Sequence, residues 1–436
     1  MRITASRLAD ELHGELEGPD VELTGLAIDS RLVEPGQLFA AVKGDRDGHD
    51  FVDAALGSGA GAVLVERGGE HVPEGATAIV VPDVAASLAD LARAVRAELP
   101  ERVVGITGSV GKTTTKDLLA SVLGTRYRTA ASEKSFNNEL GVPLTLANAH
   151  HEVEAVVVEM GARGAGHISL LCEMASPTIG VVTTVEGVHT EVMGGLEQIA
   201  RAKGELVEAV PEHGTVVLNA DVALVAAMRS RTSATVLTFG DEGEVRAERI
   251  EVDAELRPSF LLRSPWGSGQ VRLSVRGVHN VGNALAAASV GLSEGLSVEE
   301  VAEGLGRSSQ SPWRMDLRRA PSGAIVLNDA YNAGPASTAA ALRSLASLEA
   351  RRHVAVLGLM AELGEDAPQE HRRIAQLAAE LGVELIAVGT ELYGTAPVPD
   401  ADAAREALTD LGEGDAVLVK GSRVAGLEVV AEALLS

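Results

Sequence analysis

The stretch Val103-Val-Gly-Ile-Thr-Gly-Ser-Val-Gly-Lys-Thr-Thr-Thr115 decides how the rest of the chain is read. Its first five residues form a short apolar run, and a helical apolar pattern through Leu118, Leu119 and Val122 follows it. Between them lies a glycine-rich turn that closes on Gly111-Lys112-Thr113. A strand, then such a turn, then a helix aims backbone N–H groups and the positive end of a helix at phosphate oxygens. Lys112 adds a mobile positive charge, and the Thr113 hydroxyl can ligate magnesium. The pattern departs from the strict phosphate-loop text: Ile106 stands where a first glycine is required, and the glycines are Gly105, Gly108 and Gly111.

Working outward, apolar runs recur at Ala155–Glu159, Ile179–Thr183, Thr215–Leu218 and Thr235–Phe239, with helix-like patterns between the earlier ones. Strands that alternate with helices imply right-handed crossovers and a largely parallel sheet. The stretch 245–275 has little helical period and reads as added β structure, ahead of a helix over about 280–292. Residues 308–312 read as a linker, and strands at 324–327, 353–357, 385–388 and 416–419 alternate with helices beyond it. Before the phosphate loop, runs at 62–65 and 78–81 belong to a smaller α/β unit that ends near Pro100. The expected architecture is α/β in three domains: a small N-terminal unit over 1–99, a central mostly parallel-sheet nucleotide domain over 100–308, and a C-terminal Rossmann-like domain over 309–436.

Composition narrows the function. With 46% hydrophobic and 23% charged residues the chain is an ordinary packed globular protein. A formal charge of −25, with no basic cluster to offset it, would repel a polyphosphate backbone, so nucleic acid is not an expected partner. The single cysteine, Cys172, allows neither an internal disulfide nor a thiolate cluster and reads as core filling. Acidic residues within the first 18 positions and the lack of about 20 uninterrupted apolar residues point to a cytoplasmic protein.

Several residues carry candidate chemistry. Glu159 ends the apolar run Ala155–Glu159, so a parallel sheet would bring it out at the same edge as the phosphate loop, where it can hold magnesium. His189, shortly after the next strand, could reach the same cleft. Lys203, on a probable helix, reads by spacing alone as an ordinary surface lysine. Ser30, Arg31 and Lys43 supply donors suited to a diphosphate or a uracil edge. Asn280 and Asn283 offer both donor and acceptor, as adenine requires, although Asn280 also reads as a plain helix cap. Asp329 at a strand end could accept from ribose hydroxyls, and Arg314 could meet phosphate charge.

Taken together, these segments resemble the Mur ligases. Thr107–Thr115 looks like that family's shifted phosphate loop, which accounts for Ile106. Ser135-Phe-Asn-Asn-Glu-Leu-Gly-Val-Pro-Leu144, which alone reads as a polar loop before a helix, resembles the segment of the D-alanyl-D-alanine-adding branch. Gly25–Arg31 with Lys43–His49 looks like the uridine-diphosphate region, and Gly277–Leu285 resembles the adenine-side helix. Trp313-Arg-Met315 and Asn328–Pro335 look like the closing arginine and its acidic motif, with Gly334 where the family usually carries Asn. Gly358–Gly364 with His371, and Lys420–Arg423, also resemble family segments. The first of these departs at Leu359 and is given no catalytic role.

The resemblance implies an ATP-dependent amide ligase that activates a carboxylate as an acyl phosphate. Its expected partners are UDP-N-acetylmuramoyl-tripeptide and D-Ala-D-Ala, its cofactors are ATP and two Mg²⁺, and it would act as a monomer. Gly108, Ser109, Gly111, Lys112, Thr113, Thr114, Asn280, Asn283, Arg314 and Asp329 would bind nucleotide. Ser30, Arg31, Lys43, Asn137, Asn138 and Asn332 would bind the other substrates. The resemblance reverses the reading of Lys203, which becomes a carbamylated lysine that holds metal with Thr113, Glu159 and His189; Lys112, Glu159, His189 and Lys203 are then the catalytic set. Two alternatives remain open at this point: another Mur-type amino-acid ligase, and a P-loop switch that binds ATP without ligating anything.

Overall fold

The computed structural model describes residues 1–66, 72–133, 135–187 and 195–436, and the structural statements that follow concern those residues. The first unit is a five-stranded sheet ordered Glu15–Glu17, Ala78–Val81, Ala62–Glu66, Leu38–Ala40, Leu26–Ala27, in which only the first strand runs antiparallel to its neighbour. Its covering helix, Val84–Arg96, starts where the Asp83 carboxylate accepts from Ala86 N, and it buries Val84, Leu88, Leu91, Ala92 and Val95.

The central sheet is ordered Thr235–Phe239, Thr215–Asn219, Ile179–Val182, Val103–Thr107, Ala155–Glu159, Thr129–Ala131, all parallel. Val103–Thr107 is buried along its whole length, and the strand order reverses around it. Ligands of open α/β sheets bind at such a reversal, outside the carboxyl ends of the strands. The helix Lys112–Leu123 leaves from that point and packs against the helices Asn280–Ser293 and Val298–Arg307, which in turn pack against a three-stranded antiparallel sheet over 246–272. That sheet is the added β structure expected from the aperiodic stretch before the helix.

The last sheet is ordered Asp316–Arg319, Ile325–Asn328, Asp415–Lys420, Arg352–Leu357, Glu384–Ala387, with one antiparallel edge and apolar clusters on both faces. The change of sheet near residue 100 is not a change of core. Leu8, Leu64, Leu88 and Leu91 of the first unit join one apolar cluster with Val142, Leu146, Val156 and Leu171 of the central one. At roughly 1.5–3 kcal/mol for each such side chain buried, this shared cluster binds the two units firmly. A polar clasp adds to it, since Asn148 accepts from Leu26 N (2.9 Å) and donates to Leu26 O (2.9 Å).

Candidate active site

The phosphate loop is shaped by two glycines with left-handed backbones, Gly108 at φ +152° and Gly111 at φ +88°. A Cβ on Gly108 would fall 1.9 Å from Thr183 Oγ1, and one on Gly111 would fall 2.3 Å from Asn283 Oδ1. The loop is pinned from the neighbouring strand end, since Ser109 N donates to Thr184 O (2.9 Å) and Thr183 Oγ1 donates to Val110 O (2.6 Å). We expect Gly108→Ala to weaken nucleotide binding by about tenfold or more, because Thr183 is β-branched and hydrogen-bonded and cannot rotate away. Isothermal titration with ADP measures this; unchanged affinity would mean the loop tolerates a side chain there.

No side chain caps the helix Lys112–Leu123, so its first N–H groups remain directed into the loop. Lys112 Nζ lies across the loop, donating to Gly108 O at 2.8 Å and more weakly to Ser109 O at 3.4 Å. Burial lowers the pKa of its ammonium; Glu159 opposes the shift and Arg314 adds to it. A second positive group thus stands close to the first, an arrangement that calls for an anion between them.

Thr113 and Glu159 are brought together by the fold. Glu159 stands opposite Ile106 in the parallel register, is 1% exposed, and accepts from Thr113 Oγ1 at 2.9 Å. Its other oxygen accepts from Asn137 Nδ2 at 2.8 Å. Asn137 is fixed in turn, because its own carbonyl accepts from Gly161 N at 2.7 Å. Thus the segment 135–144, which without a resemblance carried no role, buttresses the acidic strand end. Asn138 acts locally, its Oδ1 accepting from Gly141 N at 3.0 Å ahead of the helix Gly141–Ala147.

Arg314 reaches this cluster from the C-terminal unit. One guanidinium nitrogen donates to Thr113 Oγ1 at 3.0 Å, the plane lies over Tyr331 with Cζ 4.1 Å from the ring centroid, and Nε is buried with no hydrogen-bond partner. Trp313 (φ +58°) and Met315 (φ +51°) on either side both take the left-handed conformation. For a non-glycine residue that costs on the order of 1–2 kcal/mol, so the turn that presents Arg314 is held by its surroundings. Met315 N donates to Asp329 Oδ1 at 3.0 Å, Tyr331 N donates to Trp313 O at 3.1 Å, and Arg423 stacks on the Trp313 ring.

Several expectations are corrected. Lys203 is no surface lysine: it is 3% exposed, and burial together with the Lys112 charge lowers its pKa far below the usual value. Arg231 fastens the end of its helix, Leu196–Lys203, through Ala200 O and Arg201 O. Asn280 is not the helix cap, since His279 holds that position. The Asn280 amide is tied to its own helix. It donates to Arg276 O at 2.6 Å and accepts from Asn283 Nδ2 at 2.7 Å, while Asn283 Oδ1 accepts from Thr115 Oγ1 at 3.2 Å. The pair ties this helix to the phosphate-loop helix.

Asp329 is paired with Lys420 as well as bonded to Met315 N, so both its oxygens are engaged, and Lys420 also donates to Asn332 O at 2.9 Å. The Asn332 side chain turns back on Ala333 N. His371 is structural: Nδ1 donates to Ala367 O, Nε2 accepts from Met360 N, and burial holds its pKa below the usual value. His189 lies outside the described residues.

The first unit forms a separate cluster. Ser30 is buried in a single turn beside exposed Arg31, which pairs with Asp29, while Lys43 pairs with Glu66. The turns Ser30–Leu32 and Gly48–Phe51 both pack on the helix Val52–Gly57, which joins the two quoted segments into one surface.

The residues suit a magnesium nucleotide. An uncapped helix start and two basic side chains, one with an unpartnered buried N–H, match polyphosphate, and the Thr113–Glu159 oxygen pair matches a hard cation that keeps most of its waters. Among the described residues no group of three or more His, Cys, Asp or Glu is placed to hold a metal ion. Among those residues, too, no helix is long and apolar enough to cross a membrane.

Comparison with known proteins follows the same outline. Residues 22–96 match the Mur ligase family catalytic domain, 106–291 the Mur ligase middle domain, and 313–423 the Mur ligase glutamate ligase domain. The UDP-N-acetylmuramoyl-tripeptide–D-alanyl-D-alanine ligase of Mycobacterium tuberculosis is 42% identical over 94% of this chain and 91% of its own length. A MurF crystal structure from Acinetobacter baumannii superposes with a TM-score of 0.89 at 30% identity, covering 100% of this chain and 99% of that one. The MurF ligase of Thermotoga maritima in complex with ADP gives 0.78 at 28% identity, over 94% and 96% of the two chains.

Proposed function

The chain belongs to the Mur ligase family, and from that premise we propose that it joins D-Ala-D-Ala to UDP-N-acetylmuramoyl-tripeptide at the expense of ATP, completing the pentapeptide precursor of peptidoglycan. The observation that carries this reading is the contact from Arg314 to Thr113, which brings a basic side chain of the C-terminal unit onto the phosphate loop of the central one. A nucleotide switch needs only the loop; a ligase needs a second unit that closes over the phosphate and excludes water. The D-alanyl-D-alanine branch is supported by Asn137, whose segment meets the acidic strand end directly.

In the reaction, a carboxylate oxygen of the tripeptide attacks the γ-phosphorus of ATP, the bond to the β-phosphate oxygen breaks, and ADP leaves an acyl phosphate. The D-Ala-D-Ala amine then attacks the acyl carbon, loses a proton, and expels inorganic phosphate. Lys112 and Arg314 offset charge on the phosphoryl oxygens, and Thr113 and Glu159 hold magnesium, which neutralises further charge when bound. Lys203 supports a second cation after carbamylation: its neutral Nζ adds to carbon dioxide and releases a proton, leaving an anion with two oxygens. Burial and the Lys112 charge favour the neutral amine that this step needs, and the buried anion it produces calls for a cation beside it. By the family resemblance His189, outside the described residues, would be a further ligand.

In this proposal residues 1–99 hold the uridine-diphosphate end through Ser30, Arg31 and Lys43, 100–308 hold ATP, and 309–436 close over it. The enzyme acts as a monomer in the cytoplasm, in cell-wall synthesis and hence in the maintenance of cell shape and division.

The test is phosphate release from ATP and magnesium with UDP-N-acetylmuramoyl-tripeptide, comparing D-Ala-D-Ala with single amino acids. Release with pentapeptide formation only in the presence of D-Ala-D-Ala is expected. Activity with a free amino acid on a dipeptide acceptor would move the chain to another branch, and turnover independent of both acceptors would end the ligase reading.

A further inference from the structure

The loop helix Lys112–Leu123 is connected to the C-terminal unit by more than the Arg314 contact. Asp117, in its second turn, presents one carboxylate oxygen to the segment between the units: Oδ2 accepts from Ser311 Oγ at 2.6 Å and from Ser311 N at 3.3 Å. Its other oxygen pairs with Lys116 Nζ at 2.9 Å, and Lys116, itself buried, donates to Ser132 O at 2.7 Å. The carboxylate is therefore gripped from its own helix and turned toward the connecting segment.

At the other end of the segment, Ser274 Oγ donates to Ser308 O at 2.7 Å. Residues 308–311 thus run between two anchors, and Gln310 Nε2 between them is buried with no hydrogen bond. Ser311 lies two residues before Trp313, where the left-handed turn that presents Arg314 begins. A strained turn has a fixed direction only if its entry point is fixed, and the side chain that fixes it belongs to the helix that starts in the phosphate loop.

We propose that Asp117 is a positioning residue for phosphoryl transfer: by holding Ser311 it sets where the connecting segment enters the Trp313–Met315 turn, and so registers Arg314 against the nucleotide loop. This rests on the ligase reading above. Asp117 touches no reacting atom, so its loss lowers the fraction of bound complexes in which Arg314 is aligned, while nucleotide binding to the loop is preserved.

The test uses the full-length enzyme, with wild type, Asp117→Ala, Ser311→Ala, the double variant and Asp117→Asn assayed in parallel. Asp117→Ala and Ser311→Ala are each expected to lower kcat by about tenfold, as loss of a hydrogen bond to a charged group would, with KM for ATP within about twofold of wild type. The double variant should be no slower than Asp117→Ala, which already removes both the hydroxyl bond lost in Ser311→Ala and the backbone bond that variant keeps. Asp117→Asn, which keeps an oxygen for the Ser311 hydroxyl, should recover most of the rate. Ser311→Ala also guards against Asp117→Ala failing to fold. Wild-type kcat in Ser311→Ala, additive losses in the double variant, or a rise in KM matching the fall in kcat would each overturn the proposal. Absence of ligation by the wild type would instead overturn the ligase reading.

Discussion

Lys203→Ala is expected to reduce turnover by about 10³-fold or more, because an anionic metal anchor contributes several kcal/mol of transition-state stabilisation and about 1.4 kcal/mol corresponds to tenfold. Acetate or formate should partly restore the rate by placing a carboxylate where the carbamate oxygens stood. Retained activity, or loss that no small carboxylate relieves, would count against a carbamylated Lys203. The same residue makes an opposite prediction for stability. Its folded pKa lies below its unfolded one, so folding releases a proton: the penalty is full below the folded pKa and is relieved as pH rises toward about 10.4. In carbon dioxide-free buffer, unfolding measurements should therefore show wild type gaining stability with pH across that window. Lys203→Met should flatten that dependence and raise Tm near neutrality, where it removes the cost of taking the amine's charged form out of water, while abolishing catalysis.

Arg314→Ala should lower kcat by about 10³-fold, the lower end of what a cationic finger contributes in phosphoryl transfer. The effect on KM for ATP should be a few-fold at most, since the loop glycines, Lys112 and the helix start are untouched. Lysine should not substitute. A point ammonium cannot keep the flat stack on Tyr331 while also reaching Thr113 Oγ1, which the guanidinium does at 3.0 Å. Steady-state kinetics with parallel ADP titrations separate the outcomes: unchanged kcat with a raised KM would reduce Arg314 to a binding contact.

The nucleotide loop and its neighbour Glu159 were legible because their signals are local. An apolar run, glycines at the bend, Gly-Lys-Thr and an amphipathic start are written within thirteen residues, and an acid at the end of an apolar strand must emerge at the carboxyl edge of a parallel sheet. In the central and C-terminal sheets two strands were missed for the converse reason. Thr129–Ala131 is three residues long and exists by pairing with Ala155–Val157, and Asp316–Arg319 is a charged edge strand whose partner, Ile325–Asn328, lies past a turn. Neither carries enough apolar period to be seen alone.

Side-chain roles divide the same way. Asn280 and Asn283 could be placed at a helix start, but not the bond from Thr115 to Asn283, which spacing does not bring near. Asp329 could be placed at a strand end, but not its engagement by Lys420, some ninety residues later. By itself the sequence determined the class of fold, the phosphate loop, the acidic strand end and, through resemblance, the family, because each is encoded in contiguous residues or in their order. Only the tertiary structure decided that Lys203 is buried beside another cation, that one apolar core spans the first two units, and that Asp117 grips Ser311. Burial, desolvation and contact across nearly two hundred residues are properties of packing, which no local pattern contains.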